Sequence, residues 1–147
     1  IEWAALYAPD ASYEVTSPAS EDPVNSNPAT SLFLISDQID RIEGRAKRLL
    51  KKTAHAEYPH SKTRHLISNV RLLPRDKADA KDNAKDNEIA LKANFAVFRT
   101  KEDNQTVFMG EARYRLRVEG ETIRIVQKRC ILDLNSLYNQ GRLTIIL

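Results

Sequence analysis

ALKANFAVFRTKEDNQTVFMGEARYRLRVEG, Ala90 to Gly120, decides the fold, because its two halves both alternate. Ile89, Leu91, Ala93, Phe95 and Val97 recur at every second position, and Phe108, Ala112, Tyr114, Leu116 and Val118 follow the same parity further on. Successive side chains of a strand point to opposite sides, so each set shares one face. The other face of the second half carries Glu111, Arg113, Arg115 and Arg117. Strands are therefore predicted over 88–100 and 106–119, with 101–105 short enough to be a hairpin turn.

Working outward, TRHLISNVRLL at 63–73 and the stretch 122–134 read as two further strands, the latter entered through the Glu119, Gly120, Glu121 corner. Four such strands are long enough for a strongly twisted antiparallel sheet. Upstream, Trp3, Leu6 and Tyr7 read as the last turns of a helix stopped by Pro9, after which ASYEVT begins a strand. Leu32, Ile35, Ile39, Ile42, Ala46 and Leu49 alternate by three and four, predicting an amphipathic helix over 32–49. On it the pairs Asp37 with Arg41 and Glu43 with Lys47 each add a few tenths of a kcal/mol, roughly, while Gly44 costs about 1 kcal/mol relative to Ala. Residues 17–30, with Pro18, Pro23 and Pro28, predict an extended surface loop, a lid or docking arm in character. The KDNA-like repeat at 76–87 predicts a polar hairpin tip. LTIIL at 143–147 is apolar enough that something is expected to cover it. Helices first and meandering strands afterwards indicate one α+β domain over 1–147, a curved sheet wrapped around helices.

The 147 residues suit one core, and with 41% apolar and 29% charged residues the composition is that of a folded soluble protein. No apolar run reaches the length of a membrane span. The chain opens on Ile1 rather than Met, and some N-terminal sequence is expected to be missing. A lone cysteine, Cys130, fits a reducing compartment, so a cytoplasmic location is expected. The net charge of +3 is spread rather than concentrated, which argues against nucleic acid as a partner.

Few residues invite a chemical role. His55, His60 and His65 recur every five residues, a spacing that matches no metal motif, and Asp76, Asp79, Asp82 and Asp86 lack the glycine and closing glutamate of a calcium loop. No metal site is expected. Cys130 reads as a small buried thiol. The row Arg113, Arg115 and Arg117, with RAKRLLKK at 45–52, reads as a partner-facing surface richer in Arg than a solvated one needs. Asp10, Tyr13 and His65 form a polar set that could project into an enclosed cavity as acid, hydrogen-bond donor and base. The preferred reading of His65 is a hydrogen-bonded framework residue, and the acid–base set is the alternative.

TRHLISNVRLL, the 90–120 stretch and VQKRCILDLNSLYNQGRLTIIL together resemble the small (β) subunits of bacterial aromatic-ring-hydroxylating dioxygenases. The resemblance is carried by Arg64 with Ser68, Asn69 and Val70, by residues 108–113, and by Lys128, Arg129, Leu132 and Asp133. WAALYAPDASYEV is similar to the family's helix-to-strand start, whereas the 17–30 loop and the 76–87 tip match no family pattern. The resemblance implies a cone-shaped NTF2-like (cystatin-like) fold, shared with scytalone dehydratase and ketosteroid isomerase. It also implies an α subunit as partner, carrying a Rieske 2Fe-2S cluster and mononuclear Fe(II), in an α3β3 assembly with β–β trimer contacts.

On that footing this chain is expected to hold no cofactor and no catalytic residue. Its role would be positional, keeping one α subunit's cluster near the next one's iron while the assembly adds both atoms of O2 to an aromatic ring. Arg64, Asn69, Arg71, Arg113, Arg115, Arg117, Arg129 and Asp133 are the framework or interface residues this reading selects, with the arginine face meeting acidic partner surface and the apolar tail buried between subunits. The rival is a stand-alone isomerase or dehydratase using Asp10, Tyr13 and His65. A third reading is a free-standing binding module.

Overall fold

The computed structural model describes residues 2–54, 57–74, 87–137 and 143–147. His55 and nearly all of the 76–87 tip lie outside the described residues, so the expectations for them rest on sequence alone. The described chain runs α1 (Glu2–Ala5), β1 (Tyr7–Thr16), β2 (Phe33–Gln38), α2 (Ile39–Leu49), β3 (Lys62–Leu72), β4 (Glu88–Lys101), β5 (Asn104–Glu119) and β6 (Thr122–Leu132). The six strands form one sheet in the order β2-β1-β6-β5-β4-β3.

The 90–120 stretch forms the predicted hairpin, tighter than expected: pairing continues to Lys101 opposite Asn104, and Glu102 takes a positive φ of 54° in the two-residue turn. Ile89 faces Leu116, Leu91 faces Tyr114, Ala93 faces Ala112 and Val97 faces Phe108 across the ladder, so the two apolar sets share one side of the sheet. Phe95 lies opposite Gly110. That glycine is required by its other neighbour: a Cβ there would stand 1.9 Å from the Ile131 carbonyl oxygen on β6. The β5–β6 corner turns at Gly120, whose φ is +63°.

Three expectations are corrected. The sheet is mixed rather than wholly antiparallel, because β1 lies parallel to β6. A parallel neighbour needs a crossover, and the chain between β1 and β6 is long enough to supply one. The opening helix ends at Ala5, and Tyr7 already belongs to β1. Pro9, expected to stop a helix, lies instead where the β1–β6 register shifts between Tyr7 and Ser12, a place where a missing N–H removes little from the ladder. The helix predicted over 32–49 is a strand for its first part: Ile35 pairs with Val15 and Asp37 with Tyr13, with alternating burial along Phe33–Gln38. The spacing of Leu32, Ile35 and Ile39 fits helix and strand alike, and the open edge of β1 selects the strand.

The core lies on the face shared by Phe95, Val97, Phe108 and Ala112, closed by Tyr13, Val15, Cys130 and, from α2, Ile42 and Ala46. Ile145 and Leu147 belong to that same core. Within this chain the apolar tail is covered by the core beside Tyr13. Of the pairs predicted on one helix, Glu43 with Lys47 forms on α2 at 3.2 Å, while Asp37 with Arg41 forms at 3.1 Å from the end of β2 to α2, and buried Asp37 also receives Arg45 at 2.6 Å.

The glycines separate by context. A Cβ on helical Gly44 meets nothing within 4 Å. Gly44→Ala is expected to raise stability by about 0.5–1 kcal/mol in urea denaturation. Gly110→Ala must push β6 away and is expected to lower stability by about 1–3 kcal/mol or more in the same measurement.

Candidate functional site

The arginine row lies where parity put it, but its charges are answered from within the chain. Arg117 is buried and clamps Asp10, donating from Nη1 to Oδ1 at 2.9 Å and from Nη2 to Oδ2 at 2.8 Å. Its Nε and Nη2 also donate to Glu88 Oε1 at 3.0 and 2.8 Å. Arg115 approaches Glu88 at 3.5 Å, and Arg113 donates to Glu111 at 2.7 Å, a carboxylate it shares with Lys92 at 2.8 Å. Arg129, also buried, donates to Glu14 at 2.7 Å and to the Val24 carbonyl at 2.5 Å, tying the 17–30 loop over this face. Beneath that loop is a cavity of about 580 Å³ whose walls include Arg113, Arg115, Gln127 and Arg129 together with Glu14 and Glu88. Buried guanidinium groups satisfied in this way have little left to offer an acidic partner.

The Asp10, Tyr13 and His65 set does not assemble. Asp10 is spent on Arg117. Tyr13 is fully buried in the core, where its hydroxyl oxygen accepts the Leu147 N–H at 3.1 Å; burial, then the nearby Cys130, raise its pKa far above the ordinary phenol value. His65 is exposed on β3 with Nε2 2.9 Å from the Ile146 carbonyl. Tyr13 and His65 therefore meet the same tail without facing each other as acid and base. Cys130 is buried and its thiol is pushed up to about 11 by desolvation, against a smaller opposing effect of Lys128.

Two groups to which the sequence assigned no site role complete the tail's seat. Lys128 reaches the Leu147 main-chain oxygen, its ammonium 5.5 Å from the Tyr114 ring centre and 5.9 Å from that of Tyr13. Glu57, buried, accepts from Arg99 at 2.7 Å and from the hydroxyls of Ser61 and Thr144. Period-two parity of Lys128 with Cys130 was a usable signal for the first; Glu57 lies in an irregular stretch that gave none. Beside the tail opens a cavity of about 450 Å³ lined by Trp3, Leu49, His60, Ser61, Thr63, His65, Lys128 and residues 145–147. Among the described residues no group of three or more His, Cys, Asp or Glu could hold a metal ion.

β3 is left open along its whole length. Every residue of Lys62–Leu72 is exposed, although the strand is fully registered with β4 on its inner edge up to a bulge between Ser68 and Arg71. Leu66 is 58% exposed, Val70 63% and Leu72 73%, with Ile67 between them. Arg64 and Arg71 share this strand, and Asn69, at a positive φ of 52° in the bulge, accepts from Arg71 Nε at 2.8 Å. Asp133 is exposed just beyond β6, its N–H donating to the Met109 carbonyl at 2.9 Å. A long edge strand showing apolar residues on both faces is unusual in an isolated domain.

Two outcomes follow from the ion pairs. Arg129→Met leaves Glu14 buried without its guanidinium and is expected to cost about 3 kcal/mol or more in urea denaturation, the scale for breaking one side of a buried pair. Burial opposes the charge of Glu57, but hydrogen bonds from Ser61 and Thr144 and the Arg99 charge outweigh it and hold the carboxyl below its ordinary 4.5. Its contribution is therefore present above that ordinary value and is lost as pH falls through the lower folded value. Denaturation midpoints measured across that acid range should fall less steeply in Glu57→Gln than in the parent chain.

The family model for the ring hydroxylating beta subunit matches residues 1–139. The small oxygenase component of the p-cumate 2,3-dioxygenase system of Pseudomonas putida is 43% identical over 146 residues, covering 99% of this chain and 75% of that protein. Among solved structures, naphthalene 1,2-dioxygenase with indole bound in its active site superposes with a TM-score of 0.77 at 15% identity, over 99% of this chain and 74% of the other. An NTF2-like protein with a cystatin-like fold from Novosphingobium aromaticivorans superposes at 0.56 with 13% identity, over 97% and 74%. These two likenesses show the NTF2-like fold, and the family match adds the identity: the chain belongs to the ring-hydroxylating dioxygenase β-subunit family.

Proposed function

We propose that this chain is the non-catalytic assembly subunit of an aromatic-ring-hydroxylating dioxygenase, and that β3 is the surface on which assembly depends. The carrying observation is the strand exposed along its whole length, with Leu66, Ile67, Val70 and Leu72 on it. The partner on this reading is an α subunit holding the Rieske cluster and the mononuclear Fe(II), in a cytoplasmic α3β3 complex with β–β contacts. A fold that keeps its own carboxylates and guanidinium groups paired is a rigid pedestal, which is what a positional role requires.

Within the interface, Arg64, Asn69 and Arg71 contribute from β3 and Asp133 from the end of β6. Arg113, Arg115, Arg117 and Arg129 support the sheet from behind through their internal pairs. The stand-alone isomerase or dehydratase has no observation in its favour, since its acid, donor and base are dispersed.

Co-expression with the α subunit followed by sizing tests this directly. Leu66→Asp and Arg64→Glu are expected to weaken recovery of the mixed complex at least about tenfold, with the variant chain's own melting temperature unchanged within the range of a surface substitution. Recovery of the full complex from both variants would overturn the assignment of β3.

A further inference from the structure

We propose that the cavity beside the 143–147 segment is a binding site for a small monocarboxylate with a compact apolar body. Its volume of about 450 Å³ falls within the roughly 300–1,000 Å³ typical of small-molecule sites. Trp3, Leu49 and Ile145 contribute apolar groups to the lining, and Thr63, His60 and Lys128 contribute polar ones. No acidic side chain lines it among the described residues. Glu57, which reaches the wall through Ser61, is already engaged by Arg99.

Lys128 defines the charge of the ligand. An ammonium carries three donors, and among the described residues one goes to the Leu147 main-chain oxygen while two tyrosine rings face the group at 5.5 and 5.9 Å. Ring faces stabilise a cation, but less than an anion that takes its remaining N–H groups. Burial lowers the pKa of Lys128, and a carboxylate entering beside it would favour the charged form. One ammonium suits one carboxylate, and the apolar wall disfavours a fully hydrated anion such as inorganic phosphate. The larger cavity on the opposite face contrasts with it: there the arginines already have Glu14, Glu88 and Glu111 as partners, leaving no comparable need for a ligand.

The test uses the full chain in complex with its α subunit, with isotope-labelled Leu and Ile methyl groups on this chain alone, so that binding at iron centres elsewhere goes unseen. The probe is benzoate, and benzyl alcohol supplies the same ring without the charge. Benzoate is expected to shift the methyl resonances of Leu49, Ile145 and Leu147 saturably, with benzyl alcohol at least about tenfold weaker and Lys128→Met weakening benzoate about tenfold. Leu49→Trp, which fills the cavity from the helix side, is expected to abolish the shift at Ile145 and serves if Lys128→Met does not fold. No shift at about 10 mM benzoate, an equal response to benzyl alcohol, or binding undiminished in whichever variant folds overturns the proposal. Recovery of the complex is scored separately, so failure here leaves the β3 assignment standing.

Discussion

The register of β5 against its two neighbours is the constraint from which the remaining architecture follows. Sixteen residues long and in the sheet interior, β5 pairs with β4 from Lys101 opposite Asn104 to Glu88 opposite Arg117, and with β6 from Gly110 opposite Leu132 to Glu119 opposite Thr122. Side chains alternate with a period of two, so a slip of one residue would turn Phe108 and Ala112 outward and bring Arg113 and Arg117 into the core. Gly110 locks the alignment from the β6 side, since no side chain fits against the Ile131 carbonyl. Once that register is set, one face must become a core and the other must find carboxylates.

Both faces meet that demand with residues far away in sequence. Arg117 is answered by Glu88, 29 residues before it, and by Asp10, 107 residues before it; Arg129 reaches Glu14 across 115 residues. On the apolar face, Tyr13 and Lys128 hold the Leu147 backbone, so that the last described segment closes the core instead of lying on the surface. The polar network therefore fixes the positions of β1, the 17–30 loop and the tail relative to the central hairpin.

Most of the sheet was legible in the sequence because long alternating runs encode their own faces, and the four strands from 62 to 132 appear within a few residues of their predicted bounds. The family resemblance was legible for a related reason: it rests on the framework residues of those same strands. The misreadings concern short or ambiguous segments. Residues 33–38 satisfy helical and strand spacing equally, and Trp3, Leu6 and Tyr7 are too few to distinguish a helix from the entry to a strand.

Local periodicity tells which side of a strand each residue faces, and that much belongs to the sequence alone: the apolar and arginine faces, the turns and the membership of the family. Which strand becomes an edge, which carboxylate meets which arginine, and whether the tail turns inward were decided by tertiary structure. The reason is physical. An alternating strand such as 62–72 has the same local pattern whether both its edges are paired or one is left open, and burial is a property of what packs against a residue.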